Sequence, residues 1–233
     1  MEQIFKMNLI GVGLYTFKEA SILTDITVQD LSRWLKGYSY KPNKSDVLVT
    51  KDPLWMSELA DSDIEAVSFH DLLEVRFVQA FRKHGVSLQA IRCASHYARD
   101  FFNHQYPFTC EKFQTDGRSI FLKALNEVGE THLLDLVKRQ YAFSQIIEPS
   151  LYSGIEFDSD KFASKWYPMR NKAVVLDPNI SFGKPVVTNG YIRTSILNEA
   201  FKAEGDERTV ARIYEIPVSA VESAIKFEEL LAA

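Results

Sequence analysis

The stretch TFKEASILTDITVQDLSRWLKG, Thr16–Gly37, decides how this chain is read. Thr16 and Glu19 stand at the capping-box spacing, so hydroxyl and carboxylate can each satisfy a free backbone N–H where a helix starts. That helix reads Phe17–Leu23. Thr24-Asp25-Ile26 is a short turn, and Thr27 caps a second helix, Val28–Lys36, which Gly37 stops. Ala20, Leu23, Ile26, Leu31 and Leu35 make one shared core. Two short helices, a small residue on the first and an apolar residue in the turn are the pattern of a helix-turn-helix.

With Leu31 and Leu35 inward, the second helix exposes Gln29, Asp30, Ser32, Arg33 and Lys36. Gln29 and Ser32 are candidates to read base edges in a major groove, and Arg33 and Lys36 are the first candidates to grip an operator. Beyond Gly37, YSYKPNKSDVLV (Tyr38–Val49) sets aromatic and β-branched residues around a Pro-Asn turn, the signature of a hairpin wing. Lys41 and Lys44 would be its phosphate contacts. Arg33, Lys36, Lys41, Lys44 and Lys51 against Asp46 alone give this stretch a local charge of +4 in a chain of net charge −4. Cations clustered beside a recognition helix favour a phosphate backbone. Asp30 works against it, and the alternative is a solvated surface on a structural helix pair.

Downstream, Ser68 caps a helix over Phe69–His84, ended by Gly85, and Ser87 caps Leu88–Asn103. Both carry apolar residues at helical spacing. Either they pair with a second copy, placing two recognition helices on two half-sites, or they cover the first domain and pack on the middle of the chain. The first domain is therefore 1–108. An α+β connecting segment, 109–170, holds an expected hairpin over Lys112–Phe121 around Asp116-Gly117. It also holds a helix in the second half of Leu133–Ile147, from Val137, and short strands at Gly154–Asp158 and Phe162–Tyr167. The last part, 171–233, reads as a strand at Ala173–Leu176 and an Asn189-Gly190 turn. Helices follow at Ser195–Ala203, Glu207–Tyr214 and Val218–Leu231, the last two forming a second helix-turn-helix-like unit. The fold class is mainly α with small β-hairpins.

The tail has the opposite charge to the head. From Phe201 to Ala233 there are seven acidic residues against four basic ones. The final helix sets Glu222, Glu228 and Glu229 against Lys226. Such a face repels phosphate and suits a basic protein partner, or is an ordinary solvated face.

Composition narrows the class of function. The chain has 233 residues, of which 46% are hydrophobic and 25% charged, an ordinary globular balance. No charge-free stretch approaches a membrane span, and the first residues lack the form of a secretory signal. Two cysteines make neither a disulfide framework nor a zinc site, so a reducing, cytoplasmic setting is expected. The five histidines show no metal-ligand spacing. There is no GxSxG, P-loop or complete dinucleotide fingerprint, and Gly11-Val-Gly13 is only a fragment of one. Glu156, Asp158 and Asp160, with Glu148, read as a solvated turn. Neither catalytic activity nor a cofactor or metal is expected.

Tyr15–Ala20 with Thr27–Trp34, Val67–Leu73 and Lys83–Arg92 resemble the opening of MerR-type helix-turn-helix domains. Asp177-Pro178, Ser181–Val187 and Thr209–Ala224 resemble the family called domain of unknown function 433. Tyr106-Pro-Phe108, Thr115–Arg118, Gln140–Phe143 and Glu148-Pro149 are similar to its long, two-domain branch, the VapB-like antitoxins. The resemblance implies a type II antitoxin that binds a PIN-like ribonuclease toxin and represses its own operon, usually as a homodimer on double-stranded operator DNA. Arg33-Trp34 stands where MerR-type domains carry an Arg and Tyr pair. Two other classes stay open: a regulator with no toxin partner, and an interaction module that binds no DNA.

Overall fold

A computed structural model describes residues 9–42, 47–129 and 149–232. In chain order the described elements are α1 (Phe17–Thr24), α2 (Val28–Lys36), β1 (Tyr38–Tyr40), β2 (Val49–Lys51), α3 (Phe69–Lys83), α4 (Leu88–Phe102) and α5 (Phe113–Val128). Then come α6 (Pro149–Tyr152), β3 (Ile155–Phe157), β4 (Ala163–Trp166), β5 (Val174–Val175) and β6 (Val186–Val187). The chain ends in α7 (Thr194–Glu204), α8 (Glu207–Ile213) and α9 (Val218–Ala232). The strands form three antiparallel pairs, β1-β2, β3-β4 and β5-β6.

The helices start where the polar caps stand. Thr16, Thr27, Ser68, Ser87 and Asp206 each accept the backbone N–H three residues on. Each bond satisfies one of the four donors a helix start leaves free. At Thr16 the capping box is complete, since Glu19 also accepts the Thr16 N–H at 2.7 Å.

One core runs from Tyr15 to Leu176 and joins the helix-turn-helix to α3, α4, α5 and the middle strands. At its centre Phe81 packs edge-on against Phe108 and Phe121, with ring centroids 5.1 and 4.7 Å apart. A smaller core gathers Val187, Leu197, Val210, Val221 and Ala224 between β6 and the last three helices.

Helix α3 is largely interior: Leu72, Leu73, Val75, Phe77, Val78 and Phe81 are all fully buried, and Arg82 and Lys83 at its end are exposed. Of the two placements expected for this helix, it covers the first domain and packs on the middle of the chain. Its large apolar side chains are spent within one copy. The helix also buries two carboxylates. Asp71 accepts the Trp55 indole N–H at 2.7 Å and the Ser57 hydroxyl at 2.5 Å, which fastens the segment after β2 beneath α3. Glu74 accepts the backbone N–H and the hydroxyl of Thr109, at 3.1 and 3.2 Å. Burial drives both carboxyls above their usual range, Glu74 to about 8.

The segment expected to be a hairpin, Lys112–Phe121, is instead the start of helix α5. Asp-Gly favours a two-residue turn, but here longer-range periodicity prevails. Phe113, Gly117, Ile120, Phe121, Ala124 and Leu125 recur at helical spacing and all are buried, in a helix packed along α4. Asp116 lies in the first turn, where the helix dipole favours an acid. The helix expected from Val137 lies outside the described residues.

The strands around Asp158-Ser-Asp160 form as expected. Asp158 Oδ1 accepts the N–H groups of Asp160 and Phe162, closing the β3-β4 turn. Among the described residues, no helix is long and apolar enough to cross a membrane.

Candidate nucleic-acid interface

The helix-turn-helix has the geometry its sequence implies. Leu31, Trp34 and Leu35 turn inward from α2 and are at most 6% exposed. Gln29, Arg33 and Lys36 are exposed and Ser32 is half-buried. Val28, at the first helical position, is an exposed apolar side chain beside them. Gly37 closes the helix at φ +73°, and a Cβ there would stand 2.5 Å from the Lys51 carbonyl oxygen. Only glycine lets the chain turn so tightly into the hairpin.

That hairpin is short. Tyr38 faces Lys51 and Tyr40 faces Val49 across the ladder, and both tyrosines are exposed with rings 5.9 Å apart. Lys41 is exposed at the hairpin's outer end. Lys44 lies outside the described residues.

The two leading basic candidates diverge. Lys36 leaves the front of α2, pairs with Glu65 at 2.7 Å and lies 5.0 Å from the Phe17 ring centroid. That contact holds the Glu65 carboxyl below its usual range. Arg33 turns the other way, over the Tyr38 ring at 5.5 Å. Its carboxylate neighbour, Asp30, is 3.8 Å away and bound instead to the Thr27 hydroxyl at 2.9 Å. So Asp30 serves the helix cap, and Arg33 is only weakly neutralised.

On the side to which Arg33 points, a groove of about 370 Å³ opens between α2, β2 and the start of α4. Lys51, Gln89 and Arg92 line it together with Arg33. Sequence reading counted Lys51 in the basic stretch and passed over Gln89 and Arg92. They lie far along the chain, on a helix whose apolar pattern drew all the attention.

The tail is fastened to the back of the helix-turn-helix. Lys184 Nζ lies 2.7 Å from both carboxylate oxygens of Glu19. Burial would raise the Glu19 carboxyl, but Lys184 and the Thr16 cap outweigh it and hold the group below its usual range. Tyr15 Oη donates to the Gly183 carbonyl at 2.6 Å, and Leu14 N–H to the Phe182 carbonyl at 2.8 Å. Ser181, Phe182 and Gly183 all have positive φ, so this anchor is a strained turn held by its contacts.

The three acidic tail candidates also diverge. Glu222 and Glu229 are exposed on α9. Glu228 is half-buried and accepts the Thr194 hydroxyl, tying α9 to the first residue of α7.

Comparison with known proteins places these features. Residues 13–95 match a family model described as "Putative DNA-binding HTH domain". A crystal structure of Rv2018 from Mycobacterium tuberculosis shares the fold, with a TM-score of 0.65 and 24% identity. The match covers 94% of this chain and all of that one. A protein of the same organism named "Putative antitoxin VapB45" is 26% identical over 224 residues, which cover 92% of this chain and 93% of that protein. The chain is thus similar over nearly its whole length to a protein named as an antitoxin, and its head matches a domain described as DNA-binding.

Proposed function

We propose that this chain is the DNA-binding antitoxin of a type II toxin–antitoxin pair and has no catalytic role of its own. The observation that carries the reading is α2. It buries Leu31, Trp34 and Leu35 and leaves Gln29, Ser32 and Arg33 on an outward face beside a hairpin bearing Lys41 and Lys51. That is the arrangement a recognition helix and a basic wing need: side chains that reach base edges, and cations that hold phosphate. Lys44 belongs to the same basic stretch. Lys36, through its exposed ammonium, would add a phosphate contact on the far side of α2.

In this reading, residues 1–108 form a MerR-like head that represses the chain's own operon in the cytoplasm. Residues 109–170 connect it to a tail, 171–233, of the domain of unknown function 433 type. A homodimer would sit on a two-fold operator. The acidic tail would hold a PIN-like ribonuclease, with Glu222 and Glu229 reaching it directly and Glu228 shaping the helix that carries them. The name of the mycobacterial relative and the sign of the tail charge both support this.

The test is co-expression with the product of the adjacent reading frame. The proposal predicts that this product arrests growth alone, is neutralised by this chain, and purifies with it. Glu222→Lys with Glu229→Lys is expected to weaken the complex without unfolding the tail. A neighbour that neither arrests growth nor binds would leave a regulator without a toxin partner.

A further inference from the structure

The groove between α2, β2 and α4 concentrates positive charge, with Asp30, 3.8 Å from Arg33, as the neighbouring carboxylate. Arg33, Lys51 and Arg92 all line it, and no carboxylate does among the described residues. Arg92 is fixed in place, donating from Nη2 to the Asp52 carbonyl at 2.7 Å, while its buried Nε finds no acceptor. Trp34, Tyr38 and Leu54 give the groove an apolar wall, which lowers the local dielectric and strengthens each charge contact. Gln89 is exposed at its rim.

Lys36 is paired with Glu65 on the other side of α2. On the α4 side three cations meet in one groove, although the residues that supply them are widely separated in sequence.

We infer that this groove is a seat for a backbone phosphate of DNA, with Arg92 and Lys51 as its holding cations and Gln89 as a neutral donor. The inference rests on the DNA-binding reading and deepens it. The interface would extend from α2 across β2 onto the first turn of α4, and would carry one strand of the duplex past the recognition helix on that side. A phosphate contact fixes register and adds affinity without adding sequence preference.

The test uses the full chain, a duplex from upstream of its own gene, and an unrelated duplex of equal length. Affinity is read by fluorescence anisotropy at several salt concentrations. Gln89→Glu places an acid in the groove from an exposed position, so the fold is expected to survive. Arg92→Ala removes the central cation, with thermal unfolding to confirm that it remains folded. Both variants are expected to lose about tenfold in affinity on both duplexes alike, and Arg92→Ala to lower the slope of log affinity against log salt by about one. Folded variants that match the wild type in affinity and slope would overturn the seat. A loss confined to the upstream duplex would also overturn it, since that would mark base reading. A wild type that binds neither duplex would instead overturn the DNA-binding reading beneath it.

Discussion

Glu74 offers a quantitative test of the fold. Its carboxyl is fully buried in α3, and burial pushes it from the usual 4.5 to about 8 against the bonds from Thr109. In the unfolded chain it titrates near the usual value. Between these limits the folded protein holds a proton that the unfolded chain has released. The contribution of Glu74 to stability is therefore fullest below about pH 4.5, falls as pH rises, and levels off above about pH 8. The steepest loss is about 1.4 kcal/mol per pH unit, and the whole interval is worth at most roughly 5 kcal/mol. Glu74→Gln keeps an acceptor for Thr109 and removes the proton. The variant is expected to match the wild type within about 1 kcal/mol at pH 5 and to exceed it by several kcal/mol at pH 9. Urea unfolding at pH 5, 6, 7, 8 and 9 reads this directly. The difference between the two proteins isolates Glu74, because Asp71, His104 and the surface carboxylates titrate in both. Parallel stability curves across the range would refute the protonated, buried carboxyl.

Three other substitutions probe the framework of the site. Gly37→Ala sets a Cβ against the Lys51 carbonyl at positive φ. It is expected to cost at least about 2 kcal/mol in denaturant unfolding and to weaken DNA binding through the hairpin. Phe81→Ala empties the centre of the aromatic cluster, with an expected loss of about 3–5 kcal/mol by the same assay. Lys184→Met removes the cation from Glu19. Since Glu19 is depressed by Lys184 and the Thr16 cap, that contribution is present above its usual pKa and fades as pH falls. Both side chains are about one-third exposed, so the expected cost is about 1 kcal/mol at neutral pH and low salt, shrinking as salt rises.

Local chemistry made much of the fold legible. Thr16, Thr27, Ser68, Ser87 and Asp206 announce their helices because a cap acts on backbone three residues away and needs no tertiary partner. Gly37 after α2 and Gly205 after α7 mark helix ends because each takes the positive φ, +73° and +72°, that closes a helix and that glycine adopts without strain. Lys112–Phe121 misled because a strong two-residue signal, Asp116-Gly117, competes with an apolar stripe visible only over a longer window. The short turn at Asp158-Ser-Asp160 was legible because its side-chain bonds reach only a few residues.

The site was legible in part. The inward and outward faces of α2 follow from helical period alone, so the placement of Gln29 and Arg33 could be read directly. The divergence of Lys36 toward Glu65 could not, since Glu65 lies on a segment without regular structure. The groove was invisible for a related reason: residues 33, 51 and 92 meet only after α4 packs beside the hairpin. Nor does the sequence mark Asp71 and Glu74 as buried. On a helix, an acid reads as a solvated position until the face that carries it proves to be covered.

In the proposed function, α2 and its neighbours bind DNA from this chain's own control region. The most direct measurement is fluorescence anisotropy with that duplex for the wild type and for Arg33→Ala, against an unrelated duplex at two salt concentrations. Tight, sequence-selective binding that weakens steeply with salt is expected, with loss of that selectivity in a folded Arg33→Ala. Equal affinity for both duplexes, or an Arg33→Ala variant as selective as the wild type, would contradict it.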